Sequence, residues 1–423
     1  MQKHIVVVDG FWLGHHPIYV KAFVRILLEA GYRVSVLCPA PDEVSTWVNQ
    51  FPTIDKELFR AHYFIDRLPK LWRYAPRKIQ NALSPLVRWY HVSQTLRSFY
   101  PATEKPDLVF FAWLDSYLYG YLPVRIIDWL FPFLWSGLYF HPAYFRDLTA
   151  SGEPKKGRLR PPIDFLAQSK WAASIAVLDA GIIDKLCSSL HGKHAVVFPD
   201  FTDELPPAPH YHLAEEIISK AKGKMIIGLL GSLERRKGLL TLLKIAQHPS
   251  SCDWFFLFAG ELAEQTFSAQ ELKEIKSFFD MPRDNCLAYF NRIPGDDQFN
   301  ALVNVCDVLY VVYQGFLHSS NVVTKAATYG KSLMVSSGGY MEEVVKQFEL
   351  GEVIPAEDVP SALVAMSKLN QREISHRRLA RMRDYSMLQS QDNLRQSLLG
   401  LVANCIGHTT DSGIANSSGT NCQ

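Results

Sequence analysis

Residues Met225–Ile245, MIIGLLGSLERRKGLLTLLKI, decide how the rest of the chain is read. The apolar run Met225–Leu230 stops at Gly231. A short basic loop follows, with Arg235, Arg236 and Lys237. Gly238 then opens a helical pattern carried by Leu239, Leu240, Leu242, Leu243 and Ile245. The order is strand, glycine-bearing turn, helix, with cations beside the helix N-terminus. Free N–H groups and the positive end of the helix dipole suit an anion there, and Lys237 adds a full charge. An ordinary βα turn with a solvated basic loop has the same pattern, so the surrounding chain must choose.

Outward from this segment the α/β alternation continues in both directions. Downstream, strands are expected at Trp254–Ala259, Cys286–Phe290, Val308–Val312 and Ser332–Ser336, with helices between them. Upstream, His4–Val8, a helix over Ile18–Ala30 ending at Gly31, and Arg33–Cys38 make one βαβ unit. That unit implies a parallel sheet, with the loop Gly10–Pro17 at the carboxyl end of its first strand, where open α/β sheets bind ligands. The loop is not GxGxxG. Further helices are expected over Leu118–Leu130 and Leu166–Ala173, and strands over Leu134–Phe140 and Ser174–Leu178. The fold class is therefore α/β: two Rossmann-like, doubly wound domains facing a cleft. The expected boundaries are 1–203, a linker 204–222 opening on ELPPAPHYH, a second domain 223–372, terminal helices 373–406, and a disordered polar tail 407–423. Residues 151–162, SGEPKKGRLRPP, read as a mobile loop.

A chain of 423 residues exceeds one typical core. Its 48% hydrophobic and 20% charged content is that of an ordinary globular protein, and a net charge of +2 gives no reason to expect nucleic acid. The seven cysteines are scattered without a CxxC pair, which argues for a reducing compartment and against a zinc site. No signal peptide is read at the N-terminus, and Ile126–Phe140 is too short to span a bilayer. A cytoplasmic protein is expected, with no metal and no cofactor. Residues 67–105 stand apart: eight Lys or Arg against one acid, Glu104, interleaved with Trp72, Tyr74, Trp89, Tyr90, Phe99 and Tyr100. That mixture suits the anionic inner face of a membrane. It equally suits solvated helices whose aromatic residues face the core.

Four ordered segments, GSLERRKGLLTLL, FFLFAGE, NRIPGDDQFNALVNVCDVLYVVY and SSNVVTKAATYGKSLMVSSGGYMEEVV, resemble the donor domain of GT-B retaining glycosyltransferases of family four, the large group-one class. The resemblance runs from about Met225 to Pro355. It is looser upstream, in the Gly14-His15-His16 loop, in His141 after a strand, and in PDFTD, Pro199–Asp203, which resembles the segment closing the acceptor domain. It implies a glycosyltransferase moving a sugar from a nucleotide-diphosphate sugar to a glycan, lipid-linked or small-molecule acceptor, with retention and without a metal. Three departures stand out. Ser232 occupies the place of the family's first-loop arginine, and Leu317 and Lys325 stand where the family carries two glutamates. A catalytically inactive GT-B scaffold and a sugar-nucleotide epimerase are the alternatives.

Lys237 is then the first choice for the diphosphate, with Ser232 on the same loop and Arg235 or Arg236 replacing the missing arginine. Ser319, Ser320 and Asn321 precede a helix, where they are ordinary N-caps and also aim N–H groups at a phosphate. Lys325 is read as a phosphate or base contact. His141 is the catalytic candidate, since imidazole suits proton traffic near neutral pH. Gly14, His15 and His16 are placed on the acceptor side. Asp203 is read as ordering the hinge or touching substrate, and Glu342 and Glu343 as acids favoured at a helix start. The tryptophans are given no role beyond packing.

Overall fold

A computed structural model describes residues 2–66, 76–118, 124–142, 168–190, 193–203, 205–281, 283–371 and 375–411. The expected mobile loop 151–162, the aromatic and basic residues of 67–75, and the tail from 412 onward lie outside them. The chain divides into two compact units, Met1–Phe198 with Leu394–Gln423, and Pro199–Asn393.

The first unit runs β1 (His4–Val8), α1 (His16–Glu29), β2 (Arg33–Cys38), α2 (Pro41–Val48), β3 (Phe59–Tyr63), α3 (Arg77–Phe99), β4 (Leu108–Phe111), α4 (Val124–Leu130), β5 (Trp135–Tyr139), β6 (Ala172–Val177), α5 (Ile183–Ser189) and β7 (His194–Val197). All its strand pairs are parallel, in the order β3-β2-β1-β4-β5-β6-β7. Strands such as LVFF are buried along their whole length, as required of a parallel sheet covered on both faces. The order reverses between β1 and β4, so the loops after these two strands meet at a topological switch point.

The second unit holds α6 (His212–Ala221), β8 (Met225–Leu230), α7 (Leu239–Gln247), β9 (Trp254–Ala259), α8 (Ala269–Asp280), β10 (Cys286–Tyr289), α9 (Asp296–Val305), β11 (Val308–Val311), α10 (Asn321–Thr328), β12 (Ser332–Ser336), α11 (Tyr340–Gln347), β13 (Gly351–Ile354), α12 (Val359–Gln371) and α13 (His376–Leu388). Its sheet is parallel in the order β10-β9-β8-β11-β12-β13. Ile226 and Leu230 enter the core on one face of the sheet, Ile227 and Leu229 the core on the other. Here the switch point lies between β8 and β11, at the end of the strand that opens the decisive segment. The last helix, α14 (Gln391–Asp411), clusters with the first unit from Leu394 onward, where Arg395 reaches Glu29 at 2.6 Å.

Several expectations are corrected. Residues 204–222 are not a bare linker, because α6 buries Leu213, Ile217 and Ala221 in the second core. Pro199–Asp203 belongs to the second unit rather than closing the first. Residues 168–171 form turns, not the end of a helix, and helix 407–411 extends into the expected tail. Within 77–99 there is one helix, and Trp89 is wholly buried with its Nε1 donating to the Tyr117 carbonyl at 3.0 Å. Tyr100 is also buried, while Tyr90 and Phe99 are exposed. No helix among the described residues is long and apolar enough to cross a membrane. The six described cysteines are all free thiols.

Candidate functional site

In the second unit the chain leaves β8 at Gly231, with φ +91°, and makes a short 3-10 turn over Arg235–Lys237. Gly238 caps α7 with φ +79°. A Cβ there would lie 2.7 Å from the Val312 carbonyl oxygen, so the turn is pressed against the loop after β11 and only glycine fits. Gly260, after β9, is tighter still: its Cβ would overlap the Gly231 carbonyl. The switch point is thus closed by backbone approaching backbone. The first N–H groups of α7 open beside it.

The three cations of the loop differ in their partners. Arg235 pairs with Glu271 at 2.7 Å and reaches the Gln314 side chain at 3.2 Å. Arg236 pairs with Glu234 at 2.7 Å and lies over the Tyr313 and Phe316 rings. Lys237 has no ion pair or side-chain hydrogen bond among the described residues. Its Nζ sits 3.6 Å from where a Gly231 Cβ would be and 5.7 Å from the Tyr313 ring centre. The expected substitution of Arg235 or Arg236 for the missing arginine therefore meets competition from Glu271 and Glu234, whereas Lys237 offers an uncommitted charge. Ser232 is exposed on the same loop.

Around the start of α10 the side chains turn to another task. Ser319 Oγ donates to Asp200 at 2.5 Å, Asn321 Nδ2 to the Phe201 carbonyl at 2.6 Å, and Thr324 Oγ1 to the Asp200 carbonyl at 2.9 Å. Ser320 is the N-cap position without a side-chain capping bond. Lys325, read as a phosphate or base contact, is buried, paired with Asp203, and donates to Asn300 Oδ1 at 2.6 Å. Burial opposes ionisation of Asp203. The Lys325 ammonium, with Asn300 and the Leu205 N–H, outweighs that and holds the carboxyl below its usual range. These bonds lash Pro199–Asp203 to α10, which is why that segment joins the second unit. Leu317 packs its backbone on Gly339 and accepts the Tyr340 N–H at 3.1 Å. Glu342 accepts the Gly338 N–H and pairs with Lys346, both at 2.5 Å, and these bonds lower its pKa, as expected of an acid capping a helix start; Glu343 follows it in the first turn of α11.

In the first unit a second cluster forms at the β1/β4 switch point. Gly14 has φ +63° and open space around it, and His15 is exposed at the helix start. His16 is not a surface residue. Its Nδ1 lies 2.8 Å from Asp9 Oδ2, and its ring stacks on Trp113 with centres 4.2 Å apart. Trp113 stacks in turn on Phe140 at 4.0 Å and approaches His141 at 5.6 Å. Asp115 accepts the N–H groups of Phe140 and His141 at 2.8 and 2.7 Å and lies 3.4 Å from His141 Nδ1. The structure therefore brings His16 and His141 to either end of one aromatic row. Asp9, Trp113 and Asp115 are absent from the sequence-based candidates. Their signal is positional: each follows the carboxyl end of a parallel strand.

No protein-family model and no curated sequence matches the chain. Solved structures do. The alpha,alpha-trehalose 6-phosphate synthase of Burkholderia multivorans matches with a TM-score of 0.66 at 12% identity, covering 97% of this chain and 100% of that one. The sucrose-phosphate synthase of Thermosynechococcus elongatus matches with a TM-score of 0.57 at 16% identity, over 97% and 98%. HepE of Anabaena in complex with UDP-glucose matches with a TM-score of 0.58 at 11% identity, over 95% and 99%. At such identities the likeness shows the fold, and the chain has the GT-B architecture.

Proposed function

We propose that this chain is a glycosyltransferase that takes a sugar from a nucleotide-diphosphate sugar, with retention of configuration and without a metal. The observation that carries the proposal is the uncommitted Lys237 ammonium beside Gly231, at the switch point of the second sheet and next to the N-terminus of α7. Loss of a diphosphate develops negative charge on its oxygens. A fixed cation and oriented N–H groups stabilise that charge more than they stabilise the bound donor. The start of α10, with Ser319, Ser320 and Asn321, supplies the second set of N–H groups in this reading. The names of the similar structures support the substrate class, since they include UDP and UDP-glucose complexes. His141 is the catalytic candidate, oriented by Asp115, and Gly14, His15 and His16 serve a glycan, lipid-linked or small-molecule acceptor. The exposed Tyr90 and Phe99 on the basic helix α3 support a peripheral approach to an anionic membrane surface.

One observation favours a second reading, a binding protein without turnover. Lys325 is consumed by a buried ion pair at a position where the resembled family carries a glutamate. Calorimetric titration with UDP and GDP tests the first reading. Binding of either, weakened about tenfold or more in Lys237→Ala, supports it. No binding of either, or equal binding by the variant, rejects it. Binding with no sugar transfer selects the second reading.

A further inference from the structure

A pocket of about 290 Å³ lies wholly within the second unit. One wall is the segment 205–207, with Pro206 and Pro207. Another is the end of α10, at Thr328 and Tyr329. A third is the turn between α13 and α14, with Gln389 and Gln391. Because α10 leads from the carboxyl end of β11 to the amino end of β12, the pocket stands at the opposite edge of the sheet from Gly231. Local bonds build its walls. Tyr329 Oη donates to the Leu205 carbonyl at 3.1 Å, and Thr328 Oγ1 lies 2.9 Å from Ser386 Oγ. Gln389 Oε1 accepts the Asp200 N–H at 2.6 Å, which fixes its amide and leaves Nε2 without a bond among the described residues. The side-chain amide of Gln391 likewise makes no hydrogen bond among them. Ser390 Oγ accepts the Asn393 N–H at 3.2 Å and keeps its own proton to donate.

The lining selects a ligand by exclusion. Asp203 carries the one charge among the described lining residues, and it accepts from Leu205 and Asn300 and pairs with Lys325. A phosphorylated ligand would meet a carboxylate and no free cation. A cationic ligand would meet a carboxylate already neutralised. A purely apolar ligand would cover the amides of Gln389 and Gln391 without replacing their bonds to water, which is costly. What remains is a neutral molecule with several hydroxyls and an apolar side for Pro206 and Pro207. The volume is at the small end for ligand pockets, which suits one or two sugar rings. We propose that this pocket is a second ligand site, taking an unphosphorylated mono- or disaccharide. The sugar hydroxyls pair with the Gln389 and Gln391 amides and the Ser390 hydroxyl, and a C–H face of the ring lies on the prolines. The chain passes between its two units after Phe198 and again after Asn393, next in sequence to the walls 205–207 and 386–391. A bound sugar therefore bridges the incoming and the outgoing segment of the second unit.

The test titrates the full chain calorimetrically with glucose, galactose and sucrose, then with glucose 6-phosphate, each with and without UDP. At least one neutral sugar is expected to bind with a Kd of about 1–10 mM, and glucose 6-phosphate more weakly than glucose. Gln391→Ala should weaken that binding about fivefold, the worth of one hydrogen bond. Gln391→Trp, which fills the pocket, should abolish it; if the tryptophan variant does not fold, the alanine variant carries the test, since Gln391 holds no bond of the fold among the described residues. Hydrogen exchange over 386–391 should slow when the sugar is added, and Lys237→Ala should bind the sugar as the wild type does. Failure of all three sugars to bind overturns the inference. So do glucose 6-phosphate binding at least as tightly as glucose, displacement of the sugar by UDP, and wild-type affinity in the folded Gln391 variants. Failure of UDP itself to bind counts against the transferase reading and leaves this inference standing on the sugar titrations.

Discussion

Replacing Lys325 by Met separates a structural cation from a ligand contact. The Lys325 and Asp203 side chains are 8% and 15% exposed, and Asn300, buried, shares both. Methionine keeps most of the volume but leaves a buried carboxylate and a buried amide oxygen without their cation. Breaking a buried pair in this way costs about 3–5 kcal/mol. At about 2–4 °C per kcal/mol for a unit of this size, melting of the second unit should fall by roughly 6–20 °C. The pH dependence gives an independent check. In the wild type the Asp203 pKa is held below its unfolded value, so its stabilisation is complete above the unfolded pKa and is lost only as pH falls through the depressed value. In Lys325→Met the lowering influence of the ammonium is gone and burial, which raises the pKa, remains. The deficit of the variant should therefore be largest at neutral pH and shrink in acid as the carboxyl takes up a proton. The double variant Lys325→Met/Asp203→Asn should melt above the single one. Differential scanning calorimetry at several pH values reads all three. A single variant melting within about 2 °C of wild type, or a deficit constant with pH, refutes the reasoning. Loss of UDP or GDP binding by the still-folded variant would return Lys325 to the donor side.

Two further outcomes follow from the geometry. Gly238→Ala must place a Cβ 2.7 Å from the Val312 oxygen at φ +79°, so it should cost about 1–3 kcal/mol and weaken nucleotide binding; wild-type melting would show that the turn yields. If α3 approaches a membrane, the protein should co-sediment with phosphatidylserine vesicles at low salt and be released as salt rises; absence from the low-salt pellet rejects the approach.

The parallel α/β alternation was legible because fully buried strands such as MIIGLL and WFFLFA are continuous apolar runs, and the glycine-to-helix turn after β8 announces itself locally. The helix α6 was not, since PPAP just before it mimics a linker and its apolar face shows only against the core it enters. The partners of Arg235 and Lys325 lie at Glu271 and Asp203, distant in sequence, so seeing that these cations are already paired needs the fold. The same holds for Asp9, Trp113 and Asp115. Their convergence with His16 and His141 depends on β4 lying between β1 and β5, a strand order that periodicity cannot supply.

Nucleotide release from UDP- and GDP-sugars by the wild type and by Lys237→Ala tests the transferase account most directly. The account predicts release by the wild type from at least one donor, and a rate lower by about 100-fold or more without the Lys237 ammonium, comparable to loss of one preorganised charge-stabilising group. Equal rates for the two proteins, or no release from any donor, would contradict it.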